Sequence, residues 1–173
     1  MTNILNFHIQ FPKFSQDYET SFSAGLHVIF GESGVGKSTF FQKLCGMDTD
    51  AGNFDLKIHE KPTRTIPVFQ NPENQIVSST LDGELAFSAE CVFSDPSQVA
   101  YLVDGIKDEL KFIDDVTRHP VTLSGGEKEL LYLATALSVK SCLIVIDDGL
   151  SFLYSKAKKT QVQRLSKYMK DTS

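Results

Sequence analysis

Gly31-Glu32-Ser33-Gly34-Val35-Gly36-Lys37-Ser38 fits the pattern G-x-x-x-x-G-K-[ST] at each fixed position. The residue types meet a physical need. Glycines let the backbone curl with its N–H groups pointing inward, a nest for phosphate oxygens. A helix leaving through Thr39 aims its positive end at the same point. In this pattern Lys37 bridges the β- and γ-phosphates and the Ser38 hydroxyl ligates Mg²⁺. The competing reading is a glycine-rich turn that matches by chance. At average residue frequencies such a match arises in roughly one chain in a hundred of this length, or fewer.

The flanks suit the loop. Leu26-His27-Val28-Ile29-Phe30 is an apolar run leading in as a strand, and Thr39–Leu44 reads as a helix closing at Gly46. Upstream, Leu5, Phe7, Ile9 and Phe11 alternate with Asn6, His8 and Gln10, the period of a half-buried strand. Residues 54–58 and 65–69 are further strand candidates. From 79 to about 137 the pattern turns helical. Asp95-Pro96-Ser97-Gln98 is a helix start with a capping box, followed by Val99, Leu102, Val103, Ile106 and Leu110 at helical spacing. Residues 142–146 form an apolar strand suited to burial on both faces of a parallel sheet. The tail, 155–170, reads as an amphipathic helix. This order predicts an α/β protein with a mostly parallel sheet, flanking helices, an antiparallel N-terminal β portion and a helical insertion.

Composition sets the outer limits. The chain has 173 residues, 41% hydrophobic and 23% charged, with net charge −5 and no Trp. That is one domain with an ordinary core. The acidic balance argues against a role in coating DNA or an anionic membrane. Cys45, Cys91 and Cys142 show no paired spacing, which points to a reducing compartment. No apolar run approaches the ~18 residues that would span a bilayer, so no direct membrane insertion is expected. No N-K-x-D stretch for reading guanine is present.

Two further stretches carry chemistry. Leu143-Ile144-Val145-Ile146-Asp147-Asp148 is an apolar strand ending in two carboxylates. Beside a phosphate loop, Asp147 would hold Mg²⁺ and Asp148 would polarise the attacking water; a strand entering a polar turn at Gly149 accounts for one Asp but less well for two. Leu123-Ser124-Gly125-Gly126-Glu127 contains a capping box, S-x-x-E. On one reading it is simply a helix start. On the other, a serine and two glycines at a helix N-terminus form an anion site.

Leu123 to Glu127 resembles the signature motif of ABC ATP-binding domains, usually written LSGGQ. Val68-Phe69-Gln70-Asn71-Pro72-Glu73-Asn74-Gln75 resembles the family's glutamine loop, and with Thr80 to Phe87 is most similar to the energy-coupling-factor and cobalt-type importer ATPases. The resemblance spans nearly the whole chain and implies a P-loop NTPase fold. It implies one domain over 1–173, with 1–70 and 139–173 as the core and 71–138 as a helical subdomain carrying the signature. It implies an ATP-binding subunit that hydrolyses Mg-ATP with Lys37, Gln70 and Asp148. Mg²⁺ would be held by Ser38, Gln70 and Asp147. ATP would lie on residues 31–39 (Gly31, Glu32, Ser33, Gly34, Val35, Gly36, Lys37, Ser38 and Thr39), with Ser124, Gly125 and Gly126 closing on the nucleotide of a partner ATPase in a head-to-tail homodimer or heterodimer. Phe11 falls where the family places an aromatic against adenine; it reads equally as the inner face of a strand. The implied setting is cytoplasmic, at the inner face of the cell membrane through a membrane-embedded transporter subunit, with no direct nucleic-acid contact.

The sequence departs from that pattern in places. Asp148 replaces a catalytic glutamate and is one methylene shorter. Leu130 and Thr135 replace arginines, and Tyr154 stands at the D-loop aspartate. The family continues to another strand and a γ-phosphate-sensing histidine, whereas this sequence ends at Asp171-Thr172-Ser173, as a C-terminally truncated or reduced member would; His119 lies far upstream. The alternative function is therefore a non-catalytic or regulatory ATP-binding protein of the same family.

Overall fold

The computed structural model describes residues 3–11, 16–47, 54–110, 113–138, 143–148, 159–160 and 163. The tail expected to be helical lies almost wholly outside them. The chain divides into two compact units. The first takes in the described residues of 1–67 and 143–147, the second those of 68–138 with 148, 159–160 and 163.

The first unit is built on an antiparallel sheet ordered β2-β1-β3, from β1 (Asn3–Phe11), β2 (Gln16–Ser23) and β3 (Asp55–Glu60). Ile9 of β1 stands opposite Tyr18 on one side and Leu56 on the other, which fixes the register. Alternation sends Leu5 and Phe7 inward, where they meet Phe54 and two residues of α1 (Lys37–Leu44), Phe40 and Leu44. Fully burying such side chains contributes roughly 1.5–3 kcal/mol each. The Phe7 ring sits 5.5 Å from Phe22 and 5.3 Å from Phe40.

The second sheet pairs β4 (Thr65–Val68) with β5 (Leu143–Ile146). The Leu143 N–H donates to the Arg64 carbonyl at 2.9 Å, and Leu143 packs on the α1 core. Val145 is buried, but its strand neighbours are half-buried. Full burial on both faces was expected. Among the described strands β5 has a ladder partner on one side only, β4. Leu26–Phe30 departs further from expectation, forming no strand, with Val28 75% and Phe30 91% exposed. An apolar run of that length fits several environments, and no described strand offers it a ladder.

The second unit is helical: α2 (Leu81–Glu90), α3 (Pro96–Glu109) and α4 (Gly125–Ser138). Thr80 caps α2 through Gly83 N–H, and Asp95 caps α3 through Ser97 N–H. Helical spacing puts Val103 and Ile106 of α3, with Leu110 at its C-cap, into one core with Leu81, Leu85, Leu123, Leu131 and Ala134. α4 is the most enclosed helix, buried continuously from Leu131 to Ala136.

Candidate functional site

Two glycines of the loop at 31–38 take a backbone conformation that favours glycine. Gly34 and Gly36 hold φ of 81° and 102°, the left-handed region where a side chain is strained. Gly36 is the N-cap of α1 and has no side chain, so the first N–H groups of α1 receive no side-chain cap. Phe40 N–H reaches the Gly36 carbonyl at 2.9 Å, and the helix runs from there. The Lys37 ammonium folds over the loop, donating to the Gly31 and Glu32 carbonyls at 2.9 and 2.8 Å. A cation thus stands over exposed backbone beside uncapped N–H groups, an arrangement that attracts a phosphate chain. Ser38 and Thr39 are half-buried in the first turn of α1.

An aromatic group flanks the loop. A Cβ on Gly36 would lie 3.4 Å from the Phe54 ring, and Phe54 meets Phe11 with centroids 5.7 Å apart. Phe11 also packs edge-on against Tyr18 at 6.0 Å. Phe11 is therefore a half-buried member of the sheet's aromatic face, and Phe54, which sequence reasoning did not single out, stands between it and the loop. The Lys43 ammonium lies 5.8 Å from the Phe54 ring centre.

Asp147 and Asp148 follow β5 directly. Asp147 belongs to the first unit, with the loop, and is half-buried; Asp148 is exposed and belongs to the second. Asp148 takes φ of 50°, positive for a residue other than glycine. The oxygen donors of the first unit, the Ser38 hydroxyl and the Asp147 carboxylate, are hard ligands of the kind that suit Mg²⁺, which keeps several of its waters. No cluster of three His, Cys, Asp or Glu side chains suited to a metal occurs among the described residues.

Gln70 sits in the second unit, exposed, between pinned neighbours. Phe69 N–H donates to Gln75 Oε1 at 2.8 Å. Asn71 Oδ1 accepts from Glu73 N–H at 3.0 Å and caps a short 3-10 turn, Pro72–Gln75. In the same unit Ser124, Gly125 and Gly126 begin α4 with the capping box closed. The Ser124 amide and hydroxyl both donate to Glu127 Oε2 at 2.7 Å. These two bonds, the amide first, hold the Glu127 carboxyl below its ordinary range. His119 serves locally, its Nδ1 accepting from Val121 N–H at 3.1 Å.

Sequence reasoning missed three buried groups. Glu84, Lys128 and Tyr132 are 2%, 4% and 6% exposed. Nothing local marks Lys128 or the Tyr132–Glu84 pair, because Lys128 meets Glu73 across 55 positions and Tyr132 meets Glu84 across 48.

The comparisons with known proteins agree with one another. A family profile described as ABC transporter matches residues 16–151. An energy-coupling factor transporter ATP-binding protein of Mesomycoplasma hyopneumoniae (strain 7448) is 29% identical over 154 residues, covering 84% of this chain and 57% of the relative. Its counterpart in Mycoplasma genitalium is 31% identical over 166 residues, covering 88% and 60%. The chain thus spans less than two thirds of the length of these curated relatives. Among solved structures, cbiO1 of Clostridium perfringens, part of the ABC transporter complex cbiONQ, superposes with a TM-score of 0.71 over 99% of this chain and 76% of that one. At 19% identity it shows a shared fold. No described helix is long and apolar enough to cross a membrane.

Proposed function

This chain belongs to the ABC transporter family, and from that premise we propose that it is an ATP-binding subunit that binds and hydrolyses Mg-ATP to drive a membrane-embedded transporter partner. One observation carries the reading. The chain presents two helix starts suited to anions, the uncapped Gly36-Lys37 start in the first unit and the Ser124-Gly125 start in the second.

Within one subunit these need not meet. In a head-to-tail pair, the Ser124-Gly125-Gly126 start of each subunit closes on the triphosphate held by residues 31–39 of the other, and two-fold symmetry gives two equivalent sites. Lys37 exchanges its bonds to the Gly31 and Glu32 carbonyls for phosphate oxygens, a stronger charge-assisted partner. Ser38, Asp147 and Gln70 would hold Mg²⁺, which neutralises charge on the β- and γ-phosphates. Asp148 would act on the water, and Phe11 would lie toward the base. The likeness to energy-coupling factor and cbiO1 proteins supports a transporter partner docked on the helical region, roughly 71–138, and a cytoplasmic position at the inner face of the cell membrane.

The test is ATP-driven association of the purified chain, followed by light scattering. ATP with Mg²⁺ should pair the unaltered chain, and Lys37→Ala should abolish pairing. Among the described residues Lys37 donates to exposed loop carbonyls, so its removal should leave the fold intact. Normal nucleotide-driven pairing in Lys37→Ala would overturn the proposal.

A further inference from the structure

Three buried polar side chains of the second unit converge on the segment that follows Gln70. Glu84, on α2, accepts from the Val77 and Ser78 N–H groups at 3.0 and 2.8 Å through Oε2. Its Oε1 accepts from the Tyr132 hydroxyl of α4 at 3.2 Å. Burial, reinforced by the Glu84 carboxylate, pushes the Tyr132 phenol up, so it remains an O–H donor. One turn earlier on α4, the Lys128 ammonium meets Glu73 Oε1 at 2.7 Å. Positions 128 and 132 share a helix face. That face grips the chain directly at Glu73 and, through Glu84, at residues 77 and 78. Gln70 sits just upstream, in a segment tied to itself by the Phe69–Gln75 and Asn71–Glu73 bonds. Ser124 is one turn before Lys128 on the same helix, and its carbonyl accepts the Lys128 N–H at 3.0 Å.

Burying a carboxylate and an ammonium is costly unless each is paired, and apolar side chains would fill the same volume without that penalty. What such ties supply is a fixed register between two elements. We propose that Glu84, Lys128 and Tyr132 are positioning residues that make the Gln70 segment and the Ser124 helix start move as one body, so that displacement of one is felt at the other. The functional meaning of that linkage rests on the proposed roles of Gln70 and Ser124 at the ATP sites; the linkage itself does not.

The experiment uses the full chain and two readouts. The variants are Glu73→Gln, Lys128→Met, Tyr132→Phe and the double Glu73→Gln/Lys128→Met, with Lys128→Arg as rescue. The Glu73 side chain is 59% exposed, so Glu73→Gln removes the counter-charge while leaving the volume of the core and a hydrogen-bond acceptor for the Lys128 ammonium in place, whereas Lys128→Met alters the buried side chain itself. Amide exchange at residues 125–128 should quicken at least about fivefold in Glu73→Gln, the double variant should add nothing beyond Lys128→Met, and Lys128→Arg should restore protection. In the second readout, Tyr132→Phe should weaken ATP-driven pairing at least about fivefold while ATP affinity stays within about twofold. Exchange at 125–128 unchanged in Glu73→Gln, or additive in the double variant, would overturn the linkage. So would ordinary pairing by Tyr132→Phe in a chain whose unaltered form pairs. Should the unaltered chain not pair with ATP, the proposed function fails, and exchange alone decides the linkage.

Discussion

Glu127 Oε2 lies 2.7 Å from both the amide nitrogen and the hydroxyl oxygen of Ser124, and the same hydroxyl accepts the Glu127 N–H at 3.3 Å. The start of α4 is thus locked by a carboxylate in its ionised form. A folded-state pKa held below the unfolded value of about 4.3 contributes stability above that value and loses it as pH falls through the lower one. Glutamine satisfies the same capping pattern without titrating. In thermal melts from about pH 6 down to about pH 3, the unaltered chain should therefore lose more stability than Glu127→Gln. Parallel decline would show that the Ser124 bonds do not favour the charged form.

Two helical glycines should respond to alanine with opposite signs. A Cβ on Gly83, in the first turn of α2, would stand 2.2 Å from Ser78 Oγ and 3.0 Å from Thr80 Oγ1, the cap of its own helix. A Cβ on Gly105, mid-way along α3, meets nothing within 4 Å. Gly83→Ala must move Ser78 and disturb the cap, at a cost of about 1–3 kcal/mol. Gly105→Ala should gain about 0.5–1 kcal/mol by removing backbone freedom from the unfolded chain. Denaturant midpoints of the two variants, measured side by side, check the contrast.

Where sequence and structure agree, the information is local. The loop glycines fall within six consecutive residues, the Asp95 cap and the Ser124 box within four each, and the α3 core follows from spacing along one helix. Where they part, partners distant in sequence decide. β2 was passed over because Gln16–Ser23 is polar and lies at the sheet edge; its one signal was the alternation of Tyr18, Thr20 and Phe22. Leu26–Phe30 has the composition of a strand, yet a strand also requires a neighbour to pair with. Glu84 and Lys128 were illegible for the same reason, since Lys128 meets a residue 55 positions away and Tyr132 reaches Glu84 across 48. The distinction between Phe11 as an aromatic near a base and Phe11 as a packed sheet residue also needed Phe54, whose ring lies beside Gly36.

The two described cysteines differ in reactivity for a physical reason. Cys91 is exposed. Cys45, at the C-terminal end of α1, is half-buried, and burial pushes its thiol up, with the nearby Lys61 ammonium only partly opposing the rise. The thiolate is the nucleophile, so at mildly alkaline pH Cys91 should be alkylated at least about tenfold faster than Cys45. Lys61→Ala should slow Cys45 further. Peptide mass spectrometry over a time course, in a Cys142→Ser background, reads both rates, and comparable labelling of the two thiols would contradict the assigned burial.

Asp148 combines a short side chain with a left-handed backbone. Its φ of 50° lies in a region that aspartate enters more readily than other non-glycine residues, because its short polar side chain finds local bonds. On the proposed reading this carboxylate acts on the water that attacks ATP, and a carboxylate set back by about 1 Å can lower a rate by on the order of 10²-fold. Asp148→Glu should therefore raise ATP turnover, up to about that factor, while losing about 1 kcal/mol of stability to the backbone conformation. Asp148→Asn keeps the length and removes the charge, and should abolish whatever turnover the unaltered chain has. Steady-state hydrolysis and thermal melts of the three proteins separate the two effects. Turnover that ignores both substitutions would remove Asp148 from the chemistry and leave its backbone conformation as a feature of the turn alone.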